Sequence, residues 1–245
     1  MPRVPRRLGA SGYMHVIVRG IGRQILFDER QDYLFFLSRL RRFCEETGVR
    51  LCAYCLMDNH VHLLLKDPEN RAALLMKKLG VSYSYYFNKK HDRSGHLFQD
   101  RYLSEAIDTD AYFLTVLRYI LNNPRKAGIC ATPEYEWNSY TAYGDPDSFV
   151  DTSLARELLG DRESYAAFIA QTNDDKCLEF ERSARNDEWA ATVLRECLGV
   201  ESGLALQAFD RKARNDALRK LKERGLTVRQ IERLTGLNRG VIQKS

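Results

Sequence analysis

The chain has 245 residues, of which 44% are hydrophobic and 29% charged, so a hydrophobic core can form within one domain with appendages or two small domains. No apolar run approaches the ~20 residues of a membrane-spanning helix, which argues against a membrane protein. No apolar signal segment follows the basic residues 1–7, so we expect a cytoplasmic protein whose six cysteines are reduced thiols.

The hydrophobic pattern of the first half of the chain alternates between strand and helix periodicities. It predicts, in chain order, a strand over 13–19, a helix over 31–47, strands over 49–57 and 60–66, a helix over 70–89 interrupted or kinked near Gly80, an extended segment over 96–107, and a helix from Asp108 or Thr109 to Asn122. This order is the ferredoxin-like split βαβ pattern with one additional helix. We therefore predict an α+β fold whose antiparallel sheet carries helices on one face and leaves the other face for a ligand.

The composition changes after residues 137–140, and we place a domain boundary in the loop near residue 145, giving domains 1–144 and 145–245. The second domain is predicted to be an all-α extension. Its residues 145–204 are acidic, with a net charge of −8, whereas residues 205–245 are basic, with a net charge of +7. A basic region of this kind suits nucleic acid, although many basic helices are only solvated faces.

Residues 227–242 predict a helix-turn-helix-like hairpin at the end of the extension. Its turn would contain Gly236, and Asn238 would cap the second helix. Its small core would consist of Ile231, Leu234, Leu237, Val241 and Ile242. Arg239, Gln243 and Lys244 would then face DNA. The alternative is a basic helical hairpin that packs on the first domain.

A histidine pair, His60-Val61-His62, lies in a strongly apolar stretch. Residues two apart on a strand share a face, and two imidazoles on one buried face suggest a metal site. Tyr119 and Asn123 lie one helical turn apart and could reach the same site. With neutral nitrogen and oxygen donors and open positions, Mg²⁺ or Mn²⁺ would suit this set, and Tyr119 would be the nucleophile that attacks a phosphodiester.

Other interpretations of these residues remain open. The histidines could be two partly exposed side chains, Tyr119 a core residue, and Asn123 a helix-ending residue. A zinc site that combines the histidines with Cys52 and Cys55 is disfavoured, because residues three apart on a strand point to opposite faces. We expect both cysteines to be small buried hydrophobic residues.

Three sequence blocks resemble the signature blocks of REP-associated tyrosine transposases, which belong to the single-tyrosine branch of the His-hydrophobe-His endonucleases. They are YCLMDNHVHLLL at residues 54–65, GHLFQDRY at residues 95–102 and RYILNNPRKAG at residues 118–128, with a weaker fourth block, WNSY, at residues 137–140. The resemblance covers residues 13–143. Members often have proline where this chain has Asp58, which alters the turn before His60 but not the ligands.

The resemblance implies a ferredoxin-like, metal-dependent endonuclease with strand-transfer activity on single-stranded or hairpin DNA. By motif match His60 and His62 are metal ligands, Asn123 is the third ligand, and Tyr119 forms a 5′-phosphotyrosine that leaves a free 3′-hydroxyl. Four cationic side chains within the blocks are also predicted to contact DNA: Arg101, Arg118, Arg125 and Lys126. The alternative is a domesticated, non-cleaving DNA-binding regulator with the same fold. The sequence leaves open whether the chain is a monomer or a homodimer.

Overall fold

Four strands from the first half of the chain form one antiparallel sheet in the computed structural model, which describes residues 9–171, 177–178, 187–200 and 202–245. They are β1 (Tyr13–Arg19), β2 (Arg50–Leu56), β3 (His60–Lys66) and β4 (Leu103–Ile107), in the spatial order β2-β3-β1-β4. Helix α1 (Arg30–Thr47) follows β1, and α2 (Ala72–Lys90) follows β3. The predicted split βαβ arrangement is therefore confirmed. Helix α2 passes through Gly80 without the predicted interruption.

The two faces of the sheet are buried under different elements. Along β3, Val61, Leu63 and Leu65 belong to the core formed with α1 and α2. Their neighbour Leu64 belongs to a second core on the opposite face. Because side chains alternate along a strand, His60 and His62 share the face of Leu64.

The second face is not open, which corrects the prediction that helices cover only one side. Helix α3 (Asp110–Leu121) packs on it and buries apolar side chains such as Phe113 and Ile120 against Leu64. The physical reason is that Ala53, Cys55 and Leu64 on this face are apolar and would otherwise be exposed to water. The predicted cap is present, since the Thr109 hydroxyl accepts a hydrogen bond from the Tyr112 amide at 3.2 Å.

Short helices after α3 complete the first compact unit, Met1–Glu179. They are α4 (Asn123–Lys126), α5 (Ser153–Leu159) and α6 (Arg162–Ala170). Tyr165 and Ile169 of α6 are buried in the same core as α3. The contacts thus divide the chain later than the predicted boundary after residue 144, because α5 and α6 supply apolar cover for α3.

The second unit, Phe180–Ser245, contains α7 (Asp187–Leu198), α8 (Arg211–Glu223), α9 (Val228–Thr235) and α10 (Arg239–Lys244). Ile231 and Ile242 of the predicted hairpin core are fully buried, whereas Val241 is 37% exposed and does not join that core. Gly236 ends α9 in the left-handed conformation with φ of 66°, and the Asn238 side chain caps α10. The helical hairpin is present, and its DNA-binding role stays a prediction.

None of the helices in the described ranges is long and apolar enough to cross a membrane.

Candidate active site

The histidine pair lies at the start of β3, behind a tightly held turn. The Met57 amide donates to the His60 carbonyl at 2.9 Å, and the Asp58 carbonyl accepts from the amides of Leu26 and Phe27. These hydrogen bonds hold the turn at Asp58 and Asn59 against the chain segment that follows β1. His60 is partly exposed and His62 is 3% exposed, and their ring centroids are 5.0 Å apart.

Tyr119 lies on the face of α3 that packs over the histidines. Its ring centroid is 5.7 Å from that of His62, in an edge-on arrangement at 73°. The side chain is 2% exposed. The structure therefore brings together His60, His62 and Tyr119, which are far apart in the sequence.

A third imidazole, His15 on β1, completes the cluster, and sequence reasoning did not identify it. Its Nε2 lies 3.0 Å from Nδ1 of His62, and its ring is 5.9 Å from that of Tyr119. His15 faces Leu64 across the β1–β3 pair, so His62 is its diagonal neighbour on the same face. The alternating pattern of residues 13–19 was a possible signal, but it became informative only once β1 was known to pair with β3.

Both candidate ligands have one ring nitrogen held in place. Nδ1 of His60 is 2.7 Å from the Asn59 side-chain oxygen, and Nδ1 of His62 is 3.0 Å from His15. Metal-binding histidines commonly engage their second nitrogen in this way, so coordination by both would be through Nε2. His60 and His62 therefore fit a divalent ion, because each has its Nδ1 engaged and would coordinate through its Nε2.

Burial keeps the two inner imidazoles neutral, which is the form that binds metal. Burial lowers the pKa of His15 to about 3. Burial first, and then the nearby His15, His60, Arg19 and Lys126, hold the pKa of His62 well below its usual value. No protonation competes with coordination at His62 near neutral pH.

In the described part of the chain, no three His, Cys, Asp or Glu side chains are arranged to hold a metal ion. An ion held by His60 and His62 would therefore take its other ligands from amide, water or phosphate oxygens. Cys52 and Cys55 lie in the core under α3, where the Cys55 thiol contacts the Met57 sulfur at 3.6 Å. Both cysteines join the same core because β2 has an irregularity at residue 52, so the argument that they point to opposite faces was wrong.

Asn123 is the first residue of α4, and its side chain bonds to the last turn of α3. Its side-chain NH₂ group donates to the carbonyl of Tyr119 at 2.9 Å and to that of Ile120 at 3.3 Å. The amide oxygen is the atom of Asn123 that would bind a metal. Lys126 is placed by the same turn, and its ammonium lies 4.3 Å from the centroid of the Tyr119 ring.

The other predicted DNA contacts of the first unit lie in different environments. Arg118 is 8% exposed, donates to the Gln171 side chain at 2.9 Å and covers the Phe168 ring, so it packs α3 against α6. Its contact with DNA stays a prediction. Arg125 is exposed and donates to a carbonyl of α6 at 3.0 Å. Arg101 is exposed on the segment 95–102, which lines a cavity of about 820 Å³ beside α2.

In the second unit, the Arg239 guanidinium forms an ion pair with Glu232 at 2.5 Å, and Gln243 is exposed. The side chain of Lys244 lies outside the described residues.

In each of three comparisons with known proteins, this chain is similar to transposases. Residues 10–123 match the family described as "Transposase IS200 like". A Haemophilus influenzae protein named as a candidate REP-associated tyrosine transposase is 28% identical over 120 residues, which cover 42% of this chain and 68% of that protein. The solved structure of a REP-associated tyrosine transposase bound to a REP hairpin is similar in fold, with a TM-score of 0.54 and 14% identity, covering 73% of this chain and 96% of the other.

Proposed function

We propose that the chain is a REP-associated tyrosine transposase, a metal-dependent endonuclease that cuts and rejoins single-stranded DNA beside a hairpin. The match of residues 10–123 to the IS200-like transposase family and the similarity to REP-associated tyrosine transposases support this proposal. The observation that carries the proposal is the Tyr119 ring seated against His62, 5.7 Å away. The hairpin is chosen as substrate because the solved relative is bound to one.

In the proposed reaction, the Tyr119 oxygen attacks the scissile phosphorus and forms a phosphotyrosine, in which the phosphorus keeps its bond to the 5′ oxygen of the downstream nucleotide. The bond from phosphorus to the 3′ oxygen breaks, and that oxygen leaves as a free hydroxyl. The phenol loses one proton and the 3′ oxygen gains one. Rejoining is the reverse attack, in which a 3′-hydroxyl displaces Tyr119 from the phosphorus.

The side chains around Tyr119 favour this reaction. His60 and His62, with Asn123 as the proposed third ligand, would hold Mg²⁺ or Mn²⁺. When bound, the ion would polarise the phosphate and stabilise its developing charge. Lys126 adds a positive charge beside this tyrosine, with its ammonium 4.3 Å from the centroid of the Tyr119 ring.

The test is incubation of the full chain with end-labelled hairpin DNA and Mn²⁺, followed by denaturing electrophoresis for a covalent adduct. Tyr119→Phe removes one oxygen and keeps the ring, so we expect no adduct but near-normal hairpin binding, since affinity comes mainly from phosphate contacts. The matched control is Tyr112→Phe on the same helix, whose hydroxyl bonds to Glu105. Adduct formation by Tyr119→Phe would refute the assignment of the nucleophile.

The alternative function is that of a DNA-binding regulator that does not cut. It predicts that the wild-type chain binds the hairpin but forms no adduct with either Mg²⁺ or Mn²⁺. The clustering of Tyr119 with the histidines favours the enzyme, because DNA binding alone does not require a phenol packed against two neutral imidazoles. We propose a cytoplasmic location for this reaction.

A second, separate proposal is that the unit Phe180–Ser245 adds DNA affinity through the basic side chains of its helices. Exposed cations line α8, among them Arg211, Lys212, Arg219 and Lys220. Each phosphate neutralised by such a cation releases a counterion and steepens the dependence of binding on salt. We therefore expect a chain ending at Glu179 to bind hairpin DNA more weakly and with a flatter salt dependence, while it still cuts at high substrate concentration. An unchanged salt slope would assign this unit to protein contacts instead.

A further inference from the structure

His15 has no role in the reaction as described above, although it belongs to the site by position. It is 0% exposed, and its ring lies beside that of His62, with centroids 5.3 Å apart and planes 25° apart. The strand β1 holds it in place by pairing with both β3 and β4. Its position is therefore fixed by the centre of the sheet and not by a loop.

The environment of His15 gives it one hydrogen-bonding partner. Its Nε2 is 3.0 Å from His62, while its Nδ1 is buried and has no hydrogen-bond partner among the described residues. A buried polar ring with only one such bond is less favourable than a leucine or phenylalanine of similar size. Packing alone does not explain a histidine here, and its interaction with His62 does.

The direction of this hydrogen bond decides what His62 can do. If His15 donates, His62 accepts at Nδ1 and carries its own proton at Nε2, where no metal can then bind. If His62 donates from Nδ1, its Nε2 keeps a lone pair for coordination, and His15 carries its proton on Nδ1. Only the second arrangement is compatible with His62 as a ligand.

We propose that His15 is a positioning residue that accepts a hydrogen bond from Nδ1 of His62, and thereby fixes the ring and tautomer in which His62 presents Nε2 to the divalent ion. The inference rests on the proposed function, because it takes His62 as a metal ligand. His60 is supported differently, by the Asn59 side chain in the turn before β3. The two ligands thus have separate supports, one from a buried strand and one from a turn.

The test measures metal affinity of the full chain by titration calorimetry with Mn²⁺, without DNA or catalysis. His15→Phe keeps the ring and its contact with Tyr119 but removes both nitrogens, and we expect Mn²⁺ to bind about 10–100-fold more weakly. His15→Gln carries an amide oxygen at a reach similar to that of Nε2 and should recover most of the loss. The matched control is His91→Phe, an exposed histidine on α2's C-terminal cap, which should leave the affinity unchanged.

Ring-nitrogen NMR shifts of the wild-type chain with Mg²⁺ test the tautomer directly, and they do so even if His15→Phe fails to fold. We expect His62 to carry its proton on Nδ1 in the Mg²⁺-bound chain. Equal Mn²⁺ affinity of wild type and folded His15→Phe, or a proton on Nε2 of His62 with Mg²⁺ bound, would overturn the inference. If the wild type binds no Mn²⁺ and His60→Ala gives the same titration, the proposed metal site itself is refuted. That result differs from an equal Mn²⁺ affinity in wild type and His15→Phe, which refutes only the role of His15.

Discussion

The two faces of the sheet contain the same strands but serve different purposes. On the face covered by α1 and α2, β3 contributes Val61, Leu63 and Leu65, all with no exposure to solvent. On the face covered by α3, the same strand contributes His60 and His62, next to the equally buried Leu64. Strand alternation thus lets one segment build an apolar core on one side and a polar site on the other, with the core holding the site rigid.

The largest expected effect is on the sheet face covered by α3. His60→Ala removes a proposed ligand that is partly exposed, so we expect cleavage to be lost while the free energy of unfolding changes little. Adduct formation and urea unfolding should be measured on the same preparation. His62→Ala is a poorer choice, because His62 is 3% exposed and its removal leaves a cavity under α3. Mn²⁺-dependent cleavage by His60→Ala would contradict the metal assignment.

Leu63→Ala, on the face covered by α1 and α2, should lower stability and leave the metal site intact. It deletes buried methyl groups and should lower the free energy of unfolding by about 2–5 kcal/mol. The Mn²⁺ affinity of the molecules that remain folded should be close to that of the wild type. Urea unfolding and calorimetry below the unfolding transition check the two parts. A specific loss of Mn²⁺ affinity would show that the two faces are not separable.

Lowering the pH should reduce the free energy of unfolding of the metal-free chain, because buried His15 resists protonation. An unfolded histidine takes up a proton below pH 6.5, whereas buried His15 does so only at a pKa of about 3. Between these values the unfolded state binds more protons, so stability falls as the pH is lowered, by about 1.4 kcal/mol per pH unit for each such histidine. His15→Phe should flatten this decline, as measured by urea unfolding at a series of pH values. An equally steep decline in the variant would contradict the assigned burial.

The smallest effect is expected at Asn123. Asn123→Ala removes the hydrogen bonds to the Tyr119 and Ile120 carbonyls, at a cost of about 1 kcal/mol in stability. It should also weaken Mn²⁺ binding less than His60→Ala does, because water can replace a neutral amide ligand. Thermal unfolding and a Mn²⁺ titration separate the two roles. An unchanged titration would leave Asn123 as a helix-ending residue only.

Local patterns predicted the strands well. The alternation of residues 13–19 predicted β1, and the apolar run around His60 predicted β3, because each strand has one or both faces in a core. Local patterns could not show that α3 covers the second face, or that α5 and α6 extend the first unit. Those contacts depend on which apolar surfaces meet after folding, and the sequence separation between them is long.

The site was only partly predictable for the same reason. His60 and His62 share a face by strand geometry alone, whereas His15 joins them only through the pairing of β1 with β3. The irregularity in β2 at residue 52 also changed which cysteines share a face. A single inserted residue reverses alternation, and the pattern of residue types gives little warning of it.

The central claim is that Tyr119 is the nucleophile of a metal-dependent DNA-cutting site, and locating the covalent adduct tests it most directly. The wild-type chain should be incubated with hairpin DNA and Mn²⁺, treated with nuclease and protease, and its peptides examined by mass spectrometry. We expect one modified peptide, carrying a nucleotide phosphate on Tyr119. A modified Tyr83, Tyr85, Tyr86 or Tyr112, or hairpin cleavage with no modified tyrosine, would contradict the claim.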